Sequence, residues 1–393
     1  RSNGKFWGPG TLVFPPRENI TRVEFPAHSW YTSTAMKLGI YALLLLHLLA
    51  STGIAQEEKA PSDPAEITPQ TRAAIEKGLR WLHRNQSRSG AYGNGAANVA
   101  TTAIAGMAFL AGGHLPGRSI YGENVLAAVR YLLKMTNRRG YINEGGSMGG
   151  RGSGMHGHGY ATLFLAEVYG MCSGMEGFRE DHLEEELKEK LTAAIQIIES
   201  AQSANGGWLY TPTRSGDEGS VTITQVQALR AARNAGIRVS IKTIEKAIEY
   251  VNKSTNSSGM TRYSLTSGGR TSFALTAAGM SCMNFLGEYE NPKISKGLDF
   301  ILKNLPGKRG HSGSWVFYGW YYATLATYQA RDAKYWKAWY PAIRSELIRR
   351  QNSDGSWTGS ESASYGSAFG TGFSLQMLQI PNRYLPIYQS ARD

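Results

Sequence analysis

One short phrase returns six times along this chain: an apolar helix end, a polar residue, then a turn built as Gly-x-aromatic. The fullest copies run Gln86 to Tyr92, Gln202 to Trp208 and Gln351 to Trp357. Aligned on the glutamine, the register position is held by Gln86, Thr136, Gln202, Thr255, Leu305 and Gln351. Eight residues earlier stand Gly78, Ala128, Ala194, Ala247, Gly297 and Ile343, nearly all small; four residues earlier the chain is always aliphatic. A small residue followed four later by an aliphatic one marks the face of a helix that packs closely on a neighbour. A period of about fifty residues implies an array of helical hairpins.

Each copy reads as an outer helix, a glycine-rich turn and an inner helix. The outer helices are predicted at 70–86, 122–136, 183–202, 240–254, 293–304 and 337–351. Inner helices, rich in Ala, Gly, Thr and Ser, fall at 97–111, 159–170, 221–235, 271–286, 318–330 and 366–379. Thr68-Pro69 and Asn291-Pro292 suit helix starts, with a capping side chain ahead of proline at the first helical position. Copies one, three, five and six are strong; two and four are degenerate. The first and last copies are alike and neither is polar like a capping repeat, which favours a closed ring over an open solenoid.

The repeat does not extend to the first 67 residues. Residues 1–35 carry scattered Pro and Gly without periodicity and are expected to be a non-native or disordered upstream segment. Met36-Lys37, the apolar stretch Leu38 to Leu49 and Gly53-Ile54-Ala55 compose a signal peptide at 36–55, too short for a membrane span of about 20 residues. Cleavage near Ala55 would leave a linker at 56–67, the repeat domain at 68–393, and an exported chain, periplasmic or secreted. Formal net charge is +12, compatible with an anionic glycan or peripheral membrane contact. No basic run or aromatic-basic stripe resembles a nucleic-acid groove, so no nucleic-acid partner is expected. Export permits a disulfide, but Cys172 and Cys282 lie in inner helices two repeats apart and are expected to be free, buried thiols. Oligomeric state has no sequence signal.

The aligned frame resembles the QW-type repeat shared by squalene and terpenoid cyclases and the β subunits of protein prenyltransferases, and it does so over about 65–380. The resemblance implies an all-α fold, an α/α toroid (α6/α6 barrel) of six hairpins, with inner helices lining a central cavity. It also implies that Gln86, Gln202, Gln351, Trp208 and Trp357 are structural. The chain departs from the family's chemistry. It has no D-x-D-D run, no D-D-x-x-D run, and no Asp two residues before Cys282 to complete a zinc set.

Four groups carry candidate chemistry. His156 and His158, in Met155-His156-Gly157-His158-Gly159-Tyr160, enter the second inner helix with Glu167 two turns beyond Tyr160 on the same face. They suit general acid/base work, although a purely structural hydrogen-bonding role accounts for them too; two histidines do not make a metal site. Asp217 and Glu218 align nearest to a cyclase acid, since a carboxyl in an apolar cavity keeps its proton. The aromatic block Trp315, Phe317, Tyr318, Trp320, Tyr321 and Tyr322, with Tyr160, suits an apolar ligand or a cationic centre, about half of it being expected to face the cavity. Gly145 to Gly159 looks like a phosphate cradle but lacks the P-loop ending, and Arg139, Arg151, Arg214 and Arg270 are scattered loop cations. No cofactor and no metal are expected. Together these features favour a protein that binds or transforms an apolar isoprenoid-like molecule. The alternatives are a non-catalytic extracytoplasmic binding protein or an enzyme of anionic polysaccharides on the same scaffold.

Overall fold

A computed structural model describes residues 66–95, 97–144, 154–175, 178, 182–307 and 315–389, all within the compact unit Asp63–Asp393. The expected signal peptide, the expected upstream segment, Arg151 and the stretch 145–153 lie outside the described residues. Six hairpins follow one another. The outer helices are α1 (Pro69–Asn85), α3 (Gly122–Met135), α5 (Leu183–Ala201), α7 (Ile241–Ser254), α9 (Pro292–Lys303) and α11 (Lys334–Arg350). The inner helices are α2 (Asn98–Ala111), α4 (Gly154–Cys172), α6 (Gly219–Asn234), α8 (Phe273–Phe285), α10 (Val316–Tyr328) and α12 (Ser367–Gln379). Among the described residues there are only isolated β-bridges and no strands.

The two sets differ as their compositions demand. Outer helices bury one stripe: in α1 it is Thr71, Ala74, Gly78, Leu79 and Leu82. Inner helices are enclosed on all sides, and in α2 every residue from Val99 to Ala111 is buried. Thr68 caps α1 by accepting from the Thr71 amide (3.2 Å), and Asn291 caps α9 by accepting from the Lys293 amide (3.1 Å), each ahead of its proline. The small register position is a contact point: a Cβ on Gly78 would stand 2.8 Å from Leu375 and from Trp357.

Each inner helix packs on the next, and α12 packs back on α2, so the ring is closed. Gln376 and Gln379 of α12 donate to the carbonyls of Ile104 and Ala108 in α2, both at 2.9 Å. The fold is therefore an all-α toroid. Beyond α12 the chain turns through two short 3-10 segments, Ile380–Asn382 and Pro386–Tyr388, and buries Ile387 and Tyr388. This tail packs against α6 and closes the C-terminal end of the barrel. Cys172 and Cys282 are free and buried. No helix of the described residues is long and apolar enough to cross a membrane.

Candidate active site

At the N-terminal end of the inner helices lies a cavity of about 340 Å³. Its rim carries Tyr210, Tyr263 and Trp315, which are 43%, 37% and 46% exposed, and its wall is aromatic and aliphatic: Tyr160, Tyr318, Tyr365, Phe369 and Leu275. Three polar side chains converge on one side: His156 of α4, and Glu218 and Ser220 at the start of α6.

Glu218 is the N-cap of α6. Its Oε2 accepts from the Val221 amide (2.8 Å) and from Ser220 Oγ (2.5 Å), while Oε1 is buried without a hydrogen-bond partner among the described residues. Burial raises the carboxyl above its usual range, and the bonds from Ser220 and Val221 only partly offset that. His156 Nε2 lies 3.0 Å from Ser220 Oγ. With its one hydrogen directed to Glu218, Ser220 accepts from His156, which places the proton of the neutral ring on Nε2. Burial lowers His156 to about 4, so the ring is neutral at physiological pH. The site thus presents a neutral imidazole, a hydroxyl and a carboxyl inclined to hold its proton, in a largely aromatic cup. Among the described residues, no group of three His, Cys, Asp or Glu is placed to hold a metal ion.

The structure separates residues that the sequence grouped. Helix α4 begins at Gly154, five residues before the predicted start, so His156 and His158 both lie on the helix, two residues and about 200° apart. His158 points away from the cavity: Nδ1 accepts from the Ile142 amide (3.1 Å) and Nε2 donates to the Ala194 carbonyl (3.1 Å). It ties the second hairpin to α5. Asp217 and Glu218 occupy successive positions of extended chain and diverge likewise. Asp217 accepts from Tyr250 Oη (3.0 Å), from the amides of Leu265 and Thr266 (2.7 and 3.0 Å) and from Thr266 Oγ1. Burial pushes Asp217 up, but these bonds outweigh it and hold the carboxyl below its ordinary value. It is a staple for the 264–266 loop and does not line the cavity.

Glu167 keeps the face of Tyr160 but lies seven residues deeper, roughly 10 Å along the helix. It sits at the base of the barrel interior, where Oε2 accepts from the Ile387 amide of the tail (3.3 Å). In the aromatic block, only Trp315 and Tyr318 reach the cavity. Tyr321 and Tyr322 lie deeper in the barrel, hydrogen-bonded to the two ends of the Gln227 amide (2.9 and 3.2 Å). Phe317 and Trp320 turn outward, Trp320 lying under the Arg350 guanidinium (4.9 Å). Arg214 donates to the Gln202 carbonyl (3.1 Å), and the glycine-rich residues 154–159 are helix rather than a phosphate cradle.

Cavity residues that the sequence reading missed are Ser220, Tyr210, Tyr263, Ser272, Tyr365 and Phe369. Tyr365, Phe369 and Phe373 recur every fourth residue, a one-face stripe that was legible. Tyr210 and Tyr263, joined through their hydroxyls (2.8 Å), come from turns of different repeats, and no spacing predicts that meeting.

Comparison with solved structures places the chain among α/α toroids. It is similar to a variant of the type II terpene cyclase MstE from Scytonema in complex with geranylgeranyl dihydroxybenzoate, its substrate (TM-score 0.55, 15% identity, 80% of this chain and 98% of that one). Another MstE variant, in complex with the product merosterolic acid A, matches at TM-score 0.55 and 16% identity, over 80% of this chain and 97% of that one. The GH76A α-1,6-mannanase of Salegentibacter sp. HEL1_6 matches at TM-score 0.56 and 9% identity, over 79% and 98%. At such identities the likeness is one of fold. No family model matches the chain, and no curated protein sequence does.

Proposed function

We propose that this toroid binds an apolar, isoprenoid-like molecule in the cavity at its N-terminal end and transforms it by proton transfer from Glu218. The observation that carries this reading is a buried carboxyl, raised by burial, with one unpartnered oxygen in a cup walled largely by aromatic rings. Protonation of a carbon–carbon double bond moves the Glu218 proton to one alkene carbon and leaves positive charge on the other. Neighbouring rings stabilise such charge, by about 2 kcal/mol each where water is excluded. Attack by a second double bond closes a ring, the final cation loses a proton to water, and the Glu218 carboxylate regains its proton from solvent. The cyclase likeness in fold supports the reading, as does the cavity's scale, within the range common for small-molecule sites. Export of the mature chain after cleavage near Ala55 belongs to the same proposal and rests on the Met36–Ala55 sequence.

A polysaccharide enzyme fits less well. Inactive variants of the mannanase carry replacements at two neighbouring aspartates, and glycosidases generally need two carboxyls across the bond. Here Glu218 is the one carboxyl among the described cavity residues, since Asp217 is committed elsewhere.

The test is incubation of the protein with farnesol, geranylgeraniol and squalene in water and in D2O, read by mass spectrometry. Ring-closed isomers of unchanged mass are expected in water, one unit heavier in D2O. Glu218→Gln should lose at least about 100-fold of the rate, in keeping with the contribution of a general acid. Tight binding without any product would make the toroid a receptacle instead, and an undiminished Glu218→Gln rate would remove Glu218 as the acid.

A further inference from the structure

A second space lies directly beneath the cavity and shares one wall residue with it. Down three inner helices, the cavity residues Ala100, Tyr318 and Phe369 give way to Ala103, Tyr321 and Phe373, which line the lower gap. Each step is three or four residues, one helical turn of about 5.4 Å. On α4, Tyr160 lines both spaces. The gap is a packing defect too narrow to hold a water. The Tyr160 ring is buried, its hydroxyl lies 3.3 Å from that of Tyr322, and its edge meets Phe373 at 5.9 Å between ring centres.

We propose that Tyr160 is the floor of the ligand cavity and sets the length of chain the protein accepts. This rests on the apolar-ligand reading above and adds an orientation. The chain lies along the barrel axis, with its reacting end at Glu218 and its far end against the Tyr160 ring. Truncating that ring joins the cavity to the dry gap and deepens it by about one helical turn, close to the length of one prenyl unit. The gain stops there because the base of the gap is fixed. Gln376 donates to the Ile104 carbonyl (2.9 Å) and accepts from Tyr388 (3.3 Å), and Tyr321 accepts from Gln227 (2.9 Å).

The experiment is calorimetric titration of the full chain with geraniol, farnesol and geranylgeraniol, which differ by one prenyl unit each. The wild-type chain should show an optimum length. In Tyr160→Ala the optimum should move one unit longer, changing the affinity ratio of adjacent members by at least tenfold. Tyr160→Phe keeps the wall and should keep the optimum. Adding Ala103→Leu to Tyr160→Ala refills the gap and should restore it. Tyr160→Leu carries the same test if the alanine variant does not fold. An unmoved optimum in a truncated variant that still binds these alcohols overturns the role of Tyr160 and leaves the ligand reading standing. If no prenyl alcohol binds the wild-type protein, the ligand reading falls and this one with it.

Discussion

Burial lifts the Glu167 carboxyl from 4.5 to about 8, an effect that the single amide bond from Ile387 reduces without cancelling. Between those two values the folded chain holds a proton that the unfolded chain has released, so this residue makes stability fall as pH rises through the window. At about 1.4 kcal/mol per pH unit, the penalty is of the order of 3 kcal/mol at pH 7. Glu167→Gln removes it. In urea titrations the variant should match the wild type near pH 4 and be the more stable protein at pH 8; an equal difference at both pH values would refute the assignment. His156 and His158, both lowered to about 4 by burial, act in the opposite sense: their contribution is lost as pH falls from 6.5 toward 4. Sequence placed Glu167 on the right helix and the two histidines at its entrance, and could not say more. Adjacent or alternate residues on an element point to different sides, so His156 and Glu218 reach the cavity while His158 and Asp217 do not. A helix face, in turn, specifies a direction but not a depth, which is why Glu167 shares the Tyr160 stripe and misses the site.

At the scale of elements, the repeated phrase is a hydrogen-bonding device. Gln86, Gln202 and Gln351 each donate once to the carbonyl of their own turn glycine and once into the next outer helix, at Asn124, Thr243 and Ala74 (all 2.8–3.0 Å). Trp208 and Trp357 donate their indole N–H to the carbonyls of Ile198 and Leu347, ten residues back in their own outer helices (2.7 Å). Each is also fully buried; a shielded indole removes roughly 150–250 Å² from water, of the order of 5 kcal/mol. The degenerate copies solve the same problem with a lysine from the following outer helix: Lys190 donates to the Leu133 carbonyl (2.7 Å), and Lys293 to those of Asn252 and Thr255 (2.6 and 2.7 Å). In these two copies a lysine thus stands in for the lost glutamine. The turn glycines are equally constrained. Gly206 has φ of 90°, and a Cβ there would meet the Lys246 carbonyl oxygen at 2.1 Å. Gly206→Ala should cost at least about 2 kcal/mol through backbone strain and displacement of α7, measured by urea denaturation; a loss below about 0.5 kcal/mol would show that the turn tolerates a side chain.

At the scale of the whole molecule, the outcome turns on the seam between repeats six and one. Gln351 bonds the Ala74 carbonyl, Trp81 donates to Asp354 Oδ2 (3.0 Å), and Gly355 packs against the Lys77 carbonyl. These contacts join residues more than 270 positions apart, and the likeness of the first and last copies was the one trace of them in the sequence. The tail that closes the barrel base left no such trace, because residues 380–389 follow no repeat. In an open solenoid each hairpin leans only on its neighbours, so the terminal hairpins fray first. A closed ring has no terminal hairpin: opening α1 or α12 breaks contacts on both flanks and costs nearly as much as opening the middle. Hydrogen exchange read by mass spectrometry should therefore show amides of α1 and α12 protected to the same level as those of α6. The variant Gln351→Ala with Asp354→Ala cuts two seam bonds while leaving the cavity untouched, and its exchange should quicken selectively in α1 and α12, by about tenfold for each 1.4 kcal/mol removed. Faster exchange at both ends already in the wild-type chain would mean that the ring opens freely in solution, and the seam would then be a contact without energetic weight.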